Sequence, residues 1–181
     1  MKSRLDARAP LRVDKPGVME TAVALILAPG ARGLEALFIR RAERAGDPWS
    51  GHIAFPGGRR ETLDVDRLRT AVRETEEEVG VALPPAALLG SLDDVHPATP
   101  GLPALVISPY VFGLVARPQT RLSDEVAAVS WLTLKDLPAC EGKTEIRLSG
   151  EPREVDCFRI DGLVIWGLTY RILRDFLPLM D

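Results

Sequence analysis

A chain of 181 residues that is 46% hydrophobic and 27% charged fits one compact domain of mixed α and β structure with a proper core. Its net charge of −3 gives no electrostatic footprint for duplex nucleic acid or an anionic membrane, so neither is expected as a partner. Two cysteines and two histidines make neither a disulfide framework nor a zinc set, and the chain reads as cytoplasmic.

The opening "MKSRLDARAPLRVDKPG" is polar and lacks an apolar signal-like region, so residues 1–17 are expected to form a flexible tail before a single domain over 18–181. "METAVALILAP" and "LEALFIRRA" are apolar, β-compatible runs separated by "GARG", which predicts a hairpin. After the loop "RAGDPWSG" comes a brief strand, "HIAF", ended by "PGG". From Asp66 to Val79 the residues Leu68, Ala71, Val72, Thr75 and Val79 recur at three- and four-residue steps, predicting a helix stopped by Gly80. "ALLGSLDDV", "ALVISPYVFGLV" and "EVAAVSWLTL" read as strands, with "HPATPGLP" and "RPQTRLSD" as loops. A strand near "EVDCFRI" precedes "GLVIWGLTYRILRDFLPLM", whose period suits a C-terminal helix packed by Ile165, Leu168, Ile172 and Phe176.

The predicted central helix carries "AVRETEEEVGV", with four carboxylates in five residues. Residues three and four apart share a helix face, so Glu74, Glu77 and Glu78 converge while Glu76 points elsewhere. As a solvated face the run would cost only ~0.2–0.5 kcal/mol per like pair. A hard divalent cation changes the balance, because it takes oxygen ligands from one or two carboxylates and substrate phosphates. Just upstream, the glycines of "FPGGRRE" let backbone approach a ligand closely.

A strand, a Gly-rich break, a loop and then a helix bearing R-E-x-x-E-E-x-G resembles the Nudix hydrolases, with their motif G-x5-E-x7-R-E-U-x-E-E-x-G-U, U being bulky and apolar. Arg73, Glu74, Glu77, Glu78, Gly80 and Val81 fill its second half. Three features depart. Counting from Gly58, Asp64 stands at the first glutamate; eight residues rather than seven separate it from Arg73; and Thr75 occupies a U position. The shifted spacing is similar to the coenzyme A pyrophosphatase branch, which "GHIAFPGGRRETLDVDRLRTAVRETEEEVGV" follows position by position, whereas "ERAGDPWSGH" lacks that branch's usual lead-in.

The resemblance implies an α+β fold, a Nudix-type α/β/α sandwich with a mixed β-sheet. It implies hydrolysis of a nucleoside diphosphate linked to another moiety, with Mg²⁺ or Mn²⁺ as cofactor. Glu74, Glu77 and Glu78 would be the metal ligands, the Gly57 carbonyl a further one, and Arg73 the residue that orients the carboxylates. Glu125 is the candidate base or extra ligand. Arg40, Arg41, His52 and Gly58 are the candidate substrate contacts, and strand alternation allows at most one of the two arginines into the site. Coenzyme A or an acyl derivative is the first substrate expected, giving 3′,5′-ADP and 4′-phosphopantetheine; ADP-ribose, NADH or a nucleotide sugar is the alternative, and a non-catalytic nucleotide-binding module is the alternative of another class. A homodimer is the oligomer to look for, since dimers are common in the family resembled.

Overall fold

The computed structural model describes residues 4–5, 7, 9–47, 49–97, 104–148 and 151–180. Alternation along the first apolar run decides the architecture. In β1 (Met19–Gly30), Ala22, Ala24 and Ile26 join one buried cluster, whereas Leu25 and Leu27 join another, so one strand supplies two cores on opposite faces. The expected hairpin forms with β2 (Gly33–Arg41), Leu27 facing Ala36 and Gly30 facing Gly33.

The main sheet adds β3 (Ile53–Ala54), β4 (Gly57–Arg59), β5 (Leu88–Ser91), β6 (Leu105–Gly113) and β7 (Val126–Thr133). Its order is β3-β2-β1-β6-β5, with β4 paired to β1 and β7 to β2; β1 and β6 run parallel and the other pairs antiparallel. The sheet is therefore mixed, as expected.

Helix α1 (Arg67–Val79) begins where the Asp66 side chain accepts from the Arg69 N–H at 2.7 Å and ends at Gly80, whose left-handed φ of 69° suits glycine. It buries Ala71, Thr75 and Val79 against the Ala22, Ala24, Ile26 face. Thr75, which replaces the usual apolar residue, is tolerated there because its hydroxyl donates to the Ala71 carbonyl at 2.7 Å.

The opposite face is covered by α2 (Gly167–Phe176) and by a three-stranded sheet of β8 (Glu141–Leu148), β9 (Glu151–Ile160) and β10 (Leu163–Trp166). Tyr170, Ile172, Leu173 and Phe176 bury here beside Phe38, Phe158 and Ile107. Truncating any of these large side chains would cost ~2–5 kcal/mol. The layers are those of the expected sandwich.

Two expectations are corrected, and one strand is added. "PGG" does not simply end regular structure, since Gly57 and Gly58 start β4. The C-terminal helix is shorter than its pattern, because Leu163–Trp166 pairs with β9, and Ile165 packs from a strand. The charged stretch Glu141–Leu148, for which the sequence offers no element, forms β8 by pairing with β9 along its length. Positions 98–103 of the loop "HPATPGLP" lie outside the described residues.

The segment before β1, expected as a flexible tail, makes specific contacts. Arg12 and the Val13 N–H donate to opposite oxygens of Asp94, at 2.7 and 2.8 Å. Arg67 at the start of α1 donates to Asp94 at 2.8 Å and to the Val13 carbonyl at 3.0 Å. Ser108 of β6 completes the set around Asp94, whose side chain is fully buried.

Candidate active site

The β1–β4 pairing places Gly57 opposite Val23 and Gly58 opposite Ala22. Both glycines serve close approach. A Cβ on Gly57, whose φ is 150°, would strike the Ala22 carbonyl; a Cβ on Gly58 would sit 2.5 Å from the Glu74 carboxylate carbon. We therefore expect Gly57→Ala to cost about 3 kcal/mol or more in urea unfolding. Gly58→Ala should cost less, because a flexible side chain can withdraw.

Over this platform lie Glu74 and Glu78, one helical turn apart. The Gly57 N–H donates to Glu78 Oε2 at 2.8 Å. Burial nevertheless dominates, and it pushes the Glu78 carboxyl up to about 7, aided by the Glu74 charge. Burial also raises Glu74, against the pull of Arg73 3.1 Å away.

Arg73 organises the outer edge. Its Nε and Nη2 fork onto Asp64 at 3.2 and 3.0 Å, Nη2 also donates to the Arg59 carbonyl at 3.0 Å, and Nη1 reaches Glu77 at 2.8 Å. Asp64 accepts in addition from the Thr70 hydroxyl and the Glu61 N–H, both at 3.0 Å. The Arg73 fork holds the Asp64 carboxyl down to about 2. Asp64 is thus a structural anchor for Arg73, and its oxygens are already engaged.

A cavity of about 540 Å³ opens between the sheet and α2, with Glu74, Glu78, Gly57 and Gly58 at one part of its wall. Met19, Leu105, Ile107, Leu168 and Ile172 give it a broad apolar surface. Glu125 lines it while pairing with Arg44 at 3.2 Å. Arg41 lines it too, with Nη2 on Asp47 at 2.9 Å and a buried Nε that has no hydrogen-bond partner. His52 packs edge-on against Trp166, centroids 4.5 Å apart, and burial lowers its pKa.

The predicted residues therefore divide. Glu74, Glu78, Glu125, Gly57, Gly58, Arg41 and His52 share the cavity. Arg40 is exposed and absent from the cavity wall, as alternation requires. Glu77 is exposed on the rim with Arg73, so the expected trio becomes a facing pair and an outlier; Glu76 is exposed. Among the described residues no group of three His, Cys, Asp or Glu side chains stands close enough to hold a metal unaided. Sequence reasoning missed Arg59, Arg171 and Thr169 on the wall. The "IWGLTYRIL" stretch was the available signal for the last two.

A model described as the NUDIX domain matches residues 19–149. The chain belongs to the NUDIX domain family. Within that domain lie β1, the glycine platform, α1 and Glu125; α2 lies beyond it. The chain is 42% identical over 117 residues to an uncharacterized protein of Schizosaccharomyces pombe, covering 61% of this chain and 36% of that protein. It is 31% identical over 169 residues to the human mitochondrial coenzyme A diphosphatase NUDT8, covering 88% of this chain and 70% of that protein. A MutT/nudix family protein from Enterococcus faecalis shares the fold, with a TM-score of 0.62 at 18% identity over 99% of this chain and 73% of that one. No helix among the described residues is long and apolar enough to cross a membrane.

Proposed function

We propose that the chain is a metal-dependent pyrophosphohydrolase that cleaves the diphosphate of a nucleoside diphosphate derivative, with coenzyme A or acyl-coenzyme A as substrate. The observation that carries this reading is the Glu74–Glu78 pair, two partly or wholly buried carboxylates directed at one cavity over a backbone that only glycine permits. Such a pair is costly unless a cation relieves it.

The donor set fits Mg²⁺ or Mn²⁺. Two carboxylates with substrate phosphates are the usual way a small hard cation is held, so a third close protein carboxylate is not required. Glu74 and Glu78 would hold it, with the Gly57 carbonyl beside them and Glu77 joining from the rim. When bound, the cation supplies charge neutralisation at the phosphoryl oxygens.

The chain's own groups do the rest. Arg73 fixes the side chains of Glu74 and Glu77 by charge-assisted hydrogen bonds. Arg41 directs its unpartnered Nε at a phosphate oxygen, and Glu125 accepts the proton of the attacking water. The apolar wall of Met19, Leu105, Leu168 and Ile172 suits an uncharged arm such as pantetheine better than a second charged nucleotide. The similarity to a coenzyme A diphosphatase supports the same choice. The products would be 3′,5′-ADP and 4′-phosphopantetheine.

The test is a panel of coenzyme A, acetyl-coenzyme A, ADP-ribose, NADH and nucleotide sugars with Mg²⁺ or Mn²⁺, read by product mass. Coenzyme A or its thioester should have the highest kcat/KM, and Glu77→Gln should lower it by ~10–100-fold. If no diphosphate is cut, the catalytic reading fails; thermal stabilisation by a nucleotide without turnover is the result expected of a binding module.

A further inference from the structure

Three arginines line the cavity, Arg41 half-buried and Arg59 and Arg171 exposed, and their partners are unequal. Arg41 is paired with Asp47 and lies close enough to Glu78 to lower its pKa, which places it at the diphosphate end. Arg59 enters from the sheet, as the last residue of β4 beside Thr21 of β1. Arg171 enters from α2, next to Ile172. Neither the Arg59 nor the Arg171 guanidinium has a carboxylate, carbonyl or aromatic partner among the described residues.

The cavity's carboxylates do not neutralise them. Glu74 is engaged by Arg73, Glu78 by the Gly57 N–H and Glu125 by Arg44. Two cations thus line the cavity without a carboxylate partner among the described residues, beyond the Arg41 that a scissile diphosphate would use. A guanidinium matches phosphate oxygens in a bidentate fork, and a phosphate monoester carries close to two negative charges at neutral pH. A ligand with only a diphosphate would leave that donor capacity unused.

We propose that Arg59 and Arg171 form a subsite for a phosphate monoester carried on the same substrate as the scissile diphosphate. This rests on the reading of the cavity as a diphosphate-cleaving site, and it makes the two arginines the residues that select a nucleotide with an additional phosphate over its dephosphorylated counterpart. ADP-ribose and NADH lack that group and leave both cations unpaired.

The experiment compares kcat/KM for coenzyme A and 3′-dephospho-coenzyme A with Mn²⁺ in the parent, Arg59→Gln and Arg171→Gln, together with calorimetric binding of 3′,5′-ADP and 5′-AMP. The parent should prefer the phosphorylated member of each pair by at least about tenfold, the low end for a charge-assisted contact. Each variant should reduce that ratio by about tenfold, while melting within a few degrees of the parent. Equal use of both substrates by the parent, or a preference that survives in either variant, overturns the subsite even though diphosphate cleavage stands. If neither compound is cut, the catalytic reading falls, and the binding pair alone decides: tighter binding of 3′,5′-ADP that is lost in both variants upholds the subsite, and equal affinities sink it.

Discussion

In Glu78→Gln, hydrolysis falls by a factor of about 10²–10³, yet the metal-free protein becomes more stable at pH 8. Both results follow from one buried group. Unfolded, the Glu78 carboxyl titrates near 4.5; folded, burial raises it to about 7. Below pH 4.5 it is protonated in both states and costs nothing. As pH rises through 7 the folded state must ionise a poorly solvated group, so it loses up to about 3 kcal/mol relative to the unfolded chain. Glutamine keeps an oxygen for the Gly57 N–H and removes the titration. Thermal melts in chelator should therefore show the parent losing stability from pH 5 to pH 8 and the variant losing less. Added Mn²⁺ should restore the parent at pH 8 and do little for the variant. A variant that hydrolyses at the parental rate would remove Glu78 from the metal site.

Arg73→Gln has the larger effect on stability. The guanidinium satisfies both oxygens of Asp64, whose side chain is 3% exposed, along with the Arg59 carbonyl. Its loss strands a buried carboxylate, at a cost of about 3–5 kcal/mol. Adding Asp64→Asn should return much of this, because the stranded group is then neutral; urea unfolding of the two singles and the double at pH 7 measures the coupling. The acid limb gives a second readout. Asp64 is depressed from 3.8 to about 2, so its contribution is fully present above pH 4 and disappears as pH falls through 2. That stretch of the stability curve should flatten in Arg73→Gln. Additive single and double mutants would mean that the fork does not hold Asp64.

How far the sequence disclosed this site depended on whether the deciding contact was local. The bounds of α1 were legible because Asp66 and Gly80 act within one turn of the helix they cap. The β1–β2 hairpin was legible from alternation and a short Gly-containing turn. Strand β4 was not, since Gly57 and Gly58 read locally as a break, and their pairing with Val23 and Ala22 joins segments far apart in the chain. The charged β8 lacks an alternating apolar face and owes its conformation to β9.

The acidic cluster divides in the same way. Helical spacing correctly set Glu76 apart, but it could not separate Glu77 from Glu74 and Glu78. That separation comes from where the β4 platform meets α1, a distance of many residues along the chain. Motif resemblance pointed to Arg73 and the acids, while alternation allowed only one of Arg40 and Arg41 to face inward without saying which. The α2 wall, with Arg171 and Leu168, depends on a helix that lies outside the recognised domain.

The clasp around Asp94 has a practical reach. The recognised domain starts at residue 19, yet two of the groups that donate to this fully buried carboxylate come from Arg12 and Val13, and a third, Arg67, also holds Val13. The first turn of the helix that carries the acids is moored to a segment no domain boundary includes. A shortened version cut at that boundary would keep every residue of the motif and the Arg67–Asp94 pair, and lose the Arg12 and Val13 contacts that complete the shell of this buried carboxylate.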